Sequence, residues 1–127
     1  MAYTRLNPAA NVDYMAGTWD GVATASGTAK SCTKVTLPTS GTWLIVAGVS
    51  FPNNATGARC IGISQNGTSM NKDRQSYTVA QAVNNSSTDM KLVVLQQLAA
   101  GDYYVMARQH SGSAMNVSGH YQAIRLA

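Results

Sequence analysis

The clearest pattern in the 127-residue chain is the alternation from Thr42 to Phe51. Trp43, Ile45, Ala47, Val49 and Phe51 fall on one side and Leu44, Val46, Gly48 and Ser50 on the other, which is the two-residue period of a β-strand. The second side also begins apolar, so part of it is expected to be covered by a loop or by another subunit. Tyr103 to His110 sets Tyr103, Val105 and Ala107 against Tyr104, Met106 and Arg108, and Val117 to Leu126 alternates again. Met90 to Leu98 fits either a strand or a helix by its apolar run alone. The Ser/Thr-rich turn before it and Gly101-Asp102 after it favour a strand. Arg59 to Gln65 and Thr68 to Tyr77 read as the arms of a hairpin, joined at Asn66-Gly67 by a tight turn with positive φ at both residues.

Between these stretches, turn-forming residues recur at short intervals: Asn7-Pro8, Ser26-Gly27, Pro38 to Gly41, Pro52-Asn53-Asn54, Asn84 to Ser87 and Ser111-Gly112-Ser113. That spacing predicts an all-β sandwich or barrel. No linker, internal repeat or long low-complexity segment interrupts it, and 127 residues make one domain able to bury a core without disulfide staples.

Composition agrees with a β-protein surface. Charged residues are 11% of the chain, against about 25% in an ordinary soluble domain, so Ser, Thr, Asn, Gln and Gly must cover the exterior. The net charge of +4 reflects five acidic residues, none of them glutamate, rather than many bases. The densest basic cluster is Lys72 and Arg74 around Asp73, far from the concentrated stripe that nucleic acid requires, so no nucleic-acid partner is expected. No apolar stretch reaches the length of a membrane span and Met1 to Arg5 has no apolar h-region, so neither a membrane-spanning segment nor the usual secretory signal is expected.

Candidate chemistry is sparse. Asp13, Asp20, Asp73, Asp89 and Asp102 are the whole supply of carboxyl groups for a glycosidase-like pair, and they read better as turn and surface residues. His110 and His120 have no patterned nucleophile or third metal ligand beside them. Gly62-Ile63-Ser64-Gln65-Asn66 lacks the second glycine of a nucleophile elbow. Two cysteines, Cys32 and Cys60, are too few for a zinc site, and they read as small half-buried thiols with a single bridge as the alternative. No enzyme activity, metal or cofactor is expected. The Asn-x-Ser/Thr triplets at Asn54, Asn66, Asn84, Asn85 and Asn116 follow from the Asn/Ser/Thr-rich composition.

Taken in order, several motifs resemble a known family. They are Pro38-Thr39-Ser40-Gly41-Thr42-Trp43, Val49-Ser50-Phe51, Arg59-Cys60-Ile61-Gly62-Ile63, Asn66-Gly67-Thr68, Leu98-Ala99-Ala100-Gly101-Asp102 and Val117-Ser118-Gly119-His120-Tyr121. Together they resemble the globular head of the complement first component and the tumour necrosis factor superfamily. The likeness runs from about Lys34 to the C-terminal residue and leaves 1–33 outside it. It implies one antiparallel, ten-stranded jelly-roll sandwich over 1–127, assembled as a symmetric homotrimer.

The Ala-Arg-x-Ile-x-Ile pattern at Ala58 and the Gln109-His110-Ser111-Gly112-Ser113 stretch are more similar to bacteriophage tail-fibre and receptor-binding tips than to the animal proteins. That likeness implies a virion component made in the bacterial cytoplasm. Its partners would be other virion proteins and a host-surface carbohydrate or protein. The alternatives are a purely structural trimerisation or capsid-decoration domain and, from another class, a small hydrolase. The expected ligand-binding loops are Lys72 to Tyr77, with Arg74 and Tyr77, and Gln109 to Ser113, with Gln109 and His110, because these polar and stacking groups have little reason to form a core.

Overall fold

A computed structural model describes residues 13–70, 77–81 and 86–127. Among them are eight strands: β1 (Tyr14–Thr24), β2 (Lys30–Leu37), β3 (Gly41–Phe51), β4 (Ala58–Ser64), β5 (Tyr77–Gln81), β6 (Thr88–Leu98), β7 (Gly101–Gln109) and β8 (Met115–Arg125). They form two antiparallel four-stranded sheets, ordered β1-β8-β3-β6 and β2-β7-β4-β5. Eight is two fewer than the resemblance implied.

The alternation in β3 sorts its residues as expected. Trp43, Ile45, Ala47, Val49 and Phe51 are buried and meet Val35, Leu37, Ile61, Ile63, Val105 and Ala107 of the opposing sheet in one core. β6 is a strand throughout: Thr88, Met90, Leu92 and Val94 are buried while Asp89, Lys91, Val93 and Leu95 are exposed. Its apolar residues lie on both sides, which is why its periodicity was ambiguous. Cys32 and Cys60 are both buried and free, so no bridge joins them.

The connection after β4 departs from the sequence reading. Gly67 does not take positive φ. The Asn66 side chain instead closes a local turn, its Oδ1 accepting from the Thr68 backbone N–H at 2.9 Å and from the Thr68 hydroxyl at 2.6 Å. The returning strand begins at Tyr77, which pairs with Gly62, so β4 and β5 are not joined by a two-residue hairpin. Asn competes for such turns through its own side chain, without the mirror-image backbone a tight hairpin needs.

The ends of β1 and β8 are tied together. Arg125 Nε lies 2.6 Å from Asp13 Oδ2, and the Arg125 backbone N–H donates to the Asp13 carbonyl. Near this end run the connections β2–β3, β4–β5 and β6–β7. The loops 25–29, 52–57 and 110–114 gather at the other end.

Candidate functional site

Two features of the sandwich stand out from the packing. The first is the outward face of the β1-β8-β3-β6 sheet. Strand register sets Tyr14, Ile124, Leu44 and Leu95 in one row across it, and Ala16, Gln122, Val46 and Val93 in the next. Tyr14, Val93 and Leu95 are 48%, 61% and 55% exposed. An antiparallel sheet that turns one face to water normally alternates apolar in and polar out, so two contiguous rows of this kind form an exposed apolar patch.

The same face turns polar toward the loop end. The third row is Thr18, His120, Gly48 and Lys91, and the last is Asp20, Ser118, Ser50 and Asp89. These rows line a cleft of about 720 Å³. Its charges are paired locally: Ser118 donates to Asp20 at 2.7 Å, Ser50 donates to Asp89 at 2.6 Å, and Lys91 Nζ lies 3.4 Å from His120 Nε2. Asp20 reaches Ser118 because β1 bulges between Trp19 and Val22, where Gly21 at φ +67° takes a conformation side chains resist. The indole Nε1 of Trp19 in the cleft wall is buried without a partner.

The second feature is the loop end. Arg59 is 0% exposed and has no carboxylate partner among the described residues. Its guanidinium donates instead to the carbonyls of Thr56 at 2.8 Å, Asn54 at 2.9 Å, Ala58 at 3.2 Å and Gly57 at 3.4 Å, while Nε is left without a partner. Burial lowers the Arg59 pKa from its ordinary value. Gly57 completes the cage: at φ +77°, a Cβ there would stand 1.8 Å from the His110 carbonyl oxygen. One buried cation thus fixes the shape of loop 52–57.

Gln109 performs the matching task across the groove. It is 0% exposed, its Nε2 donates to the carbonyls of Thr24 at 3.2 Å and Ser113 at 2.7 Å, and its Oε1 accepts from the backbone and hydroxyl of Ser111. This corrects the sequence reading. The amide of Gln109 is spent inside the protein, so it holds the 110–114 loop and does not face a ligand. His110 is exposed, and its backbone N–H donates to the Ala58 carbonyl. Arg74 lies outside the described residues. Tyr77 opens β5, opposite Gly62.

The geometry also bears on catalysis. Asp20 and Asp89 lie on the two edge strands of one sheet, about 14 Å apart by strand spacing, wider than the roughly 5 to 9.5 Å of a glycosidase pair. Among the described residues no group of three or more His, Cys or Asp side chains could hold a metal ion.

Solved structures place this arrangement of sheets. The globular domain of the zebrafish complement 1qA protein superposes with a TM-score of 0.60 at 9% identity, covering 91% of this chain and 98% of that one. Eiger, a tumour necrosis factor of S. frugiperda, superposes with a TM-score of 0.58 at 10% identity, covering 91% and 94%. The fold is the tumour necrosis factor-like jelly roll. At such identities the likeness speaks for the jelly roll alone. The sequence matches no family model and no curated protein. In this jelly roll the apolar rows, the polar cleft and the caged loops are properties of this chain's own residues.

Proposed function

We propose that the chain is a non-enzymatic binding and assembly module that associates with copies of itself, as a homotrimer, through the outward face of the β1-β8-β3-β6 sheet. The observation that carries this reading is the apolar patch of the two outward rows, in which Tyr14, Val93 and Leu95 are exposed and Ile124, Leu44 and Val46 half-buried beside them. A second copy fits the face because its polar half carries both signs, Asp20 and Asp89 with Lys91, so a like face offers opposite charges as well as apolar surface. Closed cyclic symmetry buries such a patch without propagating a fibre.

Within this reading the module serves as a bacteriophage tail-fibre or receptor-binding tip, the role to which its Ala58 to Ile63 and Gln109 to Ser113 stretches are similar. Its ligand is a host-surface glycan or protein, and its other neighbours are virion proteins. Each copy repeats the loop end, so weak contacts to a repetitive surface gain strength through avidity.

The test compares the wild type with Leu95→Lys by light scattering. The wild type is expected to run as three chains and the variant as one, with unchanged β-structure by circular dichroism. A variant with the wild-type mass places the contact elsewhere.

A further inference from the structure

We propose that the groove between loops 52–57 and 110–114 binds a neutral glycan through side-chain amides, a step that rests on the binding-module reading and narrows its ligand. The groove holds about 520 Å³ and is lined by Pro52, Asn53, Asn54, Ser113, Met115 and Asn116, with Ala114 between them. None of these carries a charge. The side chains of Asn53 and Asn116 are exposed and make no hydrogen bond among the described residues. Each amide presents one acceptor and two donor hydrogens, the complement of adjacent sugar hydroxyls, which donate and accept at once.

The walls are rigid for a reason unrelated to the ligand. Arg59 ties the carbonyls of Asn54 and Thr56 from below, and Gln109 ties Thr24, Ser111 and Ser113. A fully buried cation and a fully buried amide are costly groups to place under surface loops. Their effect is to hold the loops in one shape, so little ordering entropy remains to oppose binding. The larger cleft on the sheet face contrasts with this, because Asp20 and Asp89 already accept from Ser118 and Ser50, Lys91 contacts His120, and the cleft lies on the face assigned to self-association. The groove's open amides favour hydroxyls over a sulfated or sialylated sugar, which would call for a cation that the lining lacks.

The test uses the full chain on an array of neutral and acidic glycans, followed by titration calorimetry with a bound neutral glycan. Asn53→Ala/Asn116→Ala and the near-isosteric Asn53→Asp/Asn116→Asp are compared with the wild type, with unfolding midpoint and molar mass recorded for each. The expected result is neutral-glycan binding by the wild type, weakened at least tenfold in the double variants while midpoint and mass hold. Undiminished binding by a folded double variant overturns this site and leaves glycan recognition standing. Binding to acidic glycans alone, or to none, overturns the inference. A single-chain mass for the wild type counts separately, against self-association.

Discussion

Arg59 offers a sharp test of how the loop end is built. Arg59→Met keeps the length and much of the packing of the side chain while removing all four carbonyl contacts. Two of those contacts, at 2.8 and 2.9 Å, are well-formed bonds from a charged donor, and such bonds contribute about 1.5–3 kcal/mol each. Against their loss stands relief from keeping an unpaired guanidinium out of water, an effect that often makes replacement of buried charges neutral. The carbonyls of Asn54 and Thr56 lose a donor within a loop whose shape Gly57 also constrains, so the first effect outweighs the second. The expected net cost is about 2–4 kcal/mol. Urea unfolding followed by tryptophan fluorescence at fixed protein concentration reads it as a midpoint lowered by about 1–2 M at a typical slope. Arg59→Lys, which cannot fork between two carbonyls, is expected to fall between the two. A Met variant within about 0.5 kcal/mol of the wild type, or more stable than it, would refute the claim that this cation holds the loop.

Two further outcomes follow from burial. Ile45 is fully buried on the inward side of β3, so Ile45→Ala is expected to cost about 2–5 kcal/mol in chemical denaturation, and a loss under about 0.5 kcal/mol would show the side chain outside the core. Burial pushes the Cys32 thiol from 9.0 up to about 12, with Lys30 pulling weakly the other way. Below pH 9 folded and unfolded chains both keep this proton. Between pH 9 and 12 the unfolded chain loses it while the folded one retains it, so stability falls as pH rises through that window. Measured against Cys32→Ala, the wild type should lose ground from pH 9 upward, and a flat difference between the two would contradict the assignment.

How much of this was legible in the sequence depends on how local each signal is. The strands β3, β6, β7 and β8 could be read because apolar residues alternate within single stretches, and turn chemistry marked most of their ends. β1 and β2 were missed, since in β1 the inward positions Met15, Gly17 and Trp19 mix a small residue with large ones, and β2 has short polar residues on either side of Cys32. The second side of β3, expected to be covered by a loop or another subunit, lies on the outward face of its sheet, and the extent of the apolar surface there came only from register, which sets Leu44 beside Leu95 and Ile124. Arg59 and Gln109 gave no warning of burial, because their partners are backbone carbonyls, and those leave no trace in residue type. Loop polarity singled out the Gln109 to Ser113 turn, where His110 is exposed but the amide of Gln109 is buried against backbone.

The central claim, that the outward sheet face is covered by copies of the same chain, is tested most directly by the absolute molar mass of the wild-type protein across a dilution series. Sedimentation equilibrium from high to low micromolar concentration should give three times the chain mass of 13.4 kDa. A single-chain mass throughout that range would contradict the account.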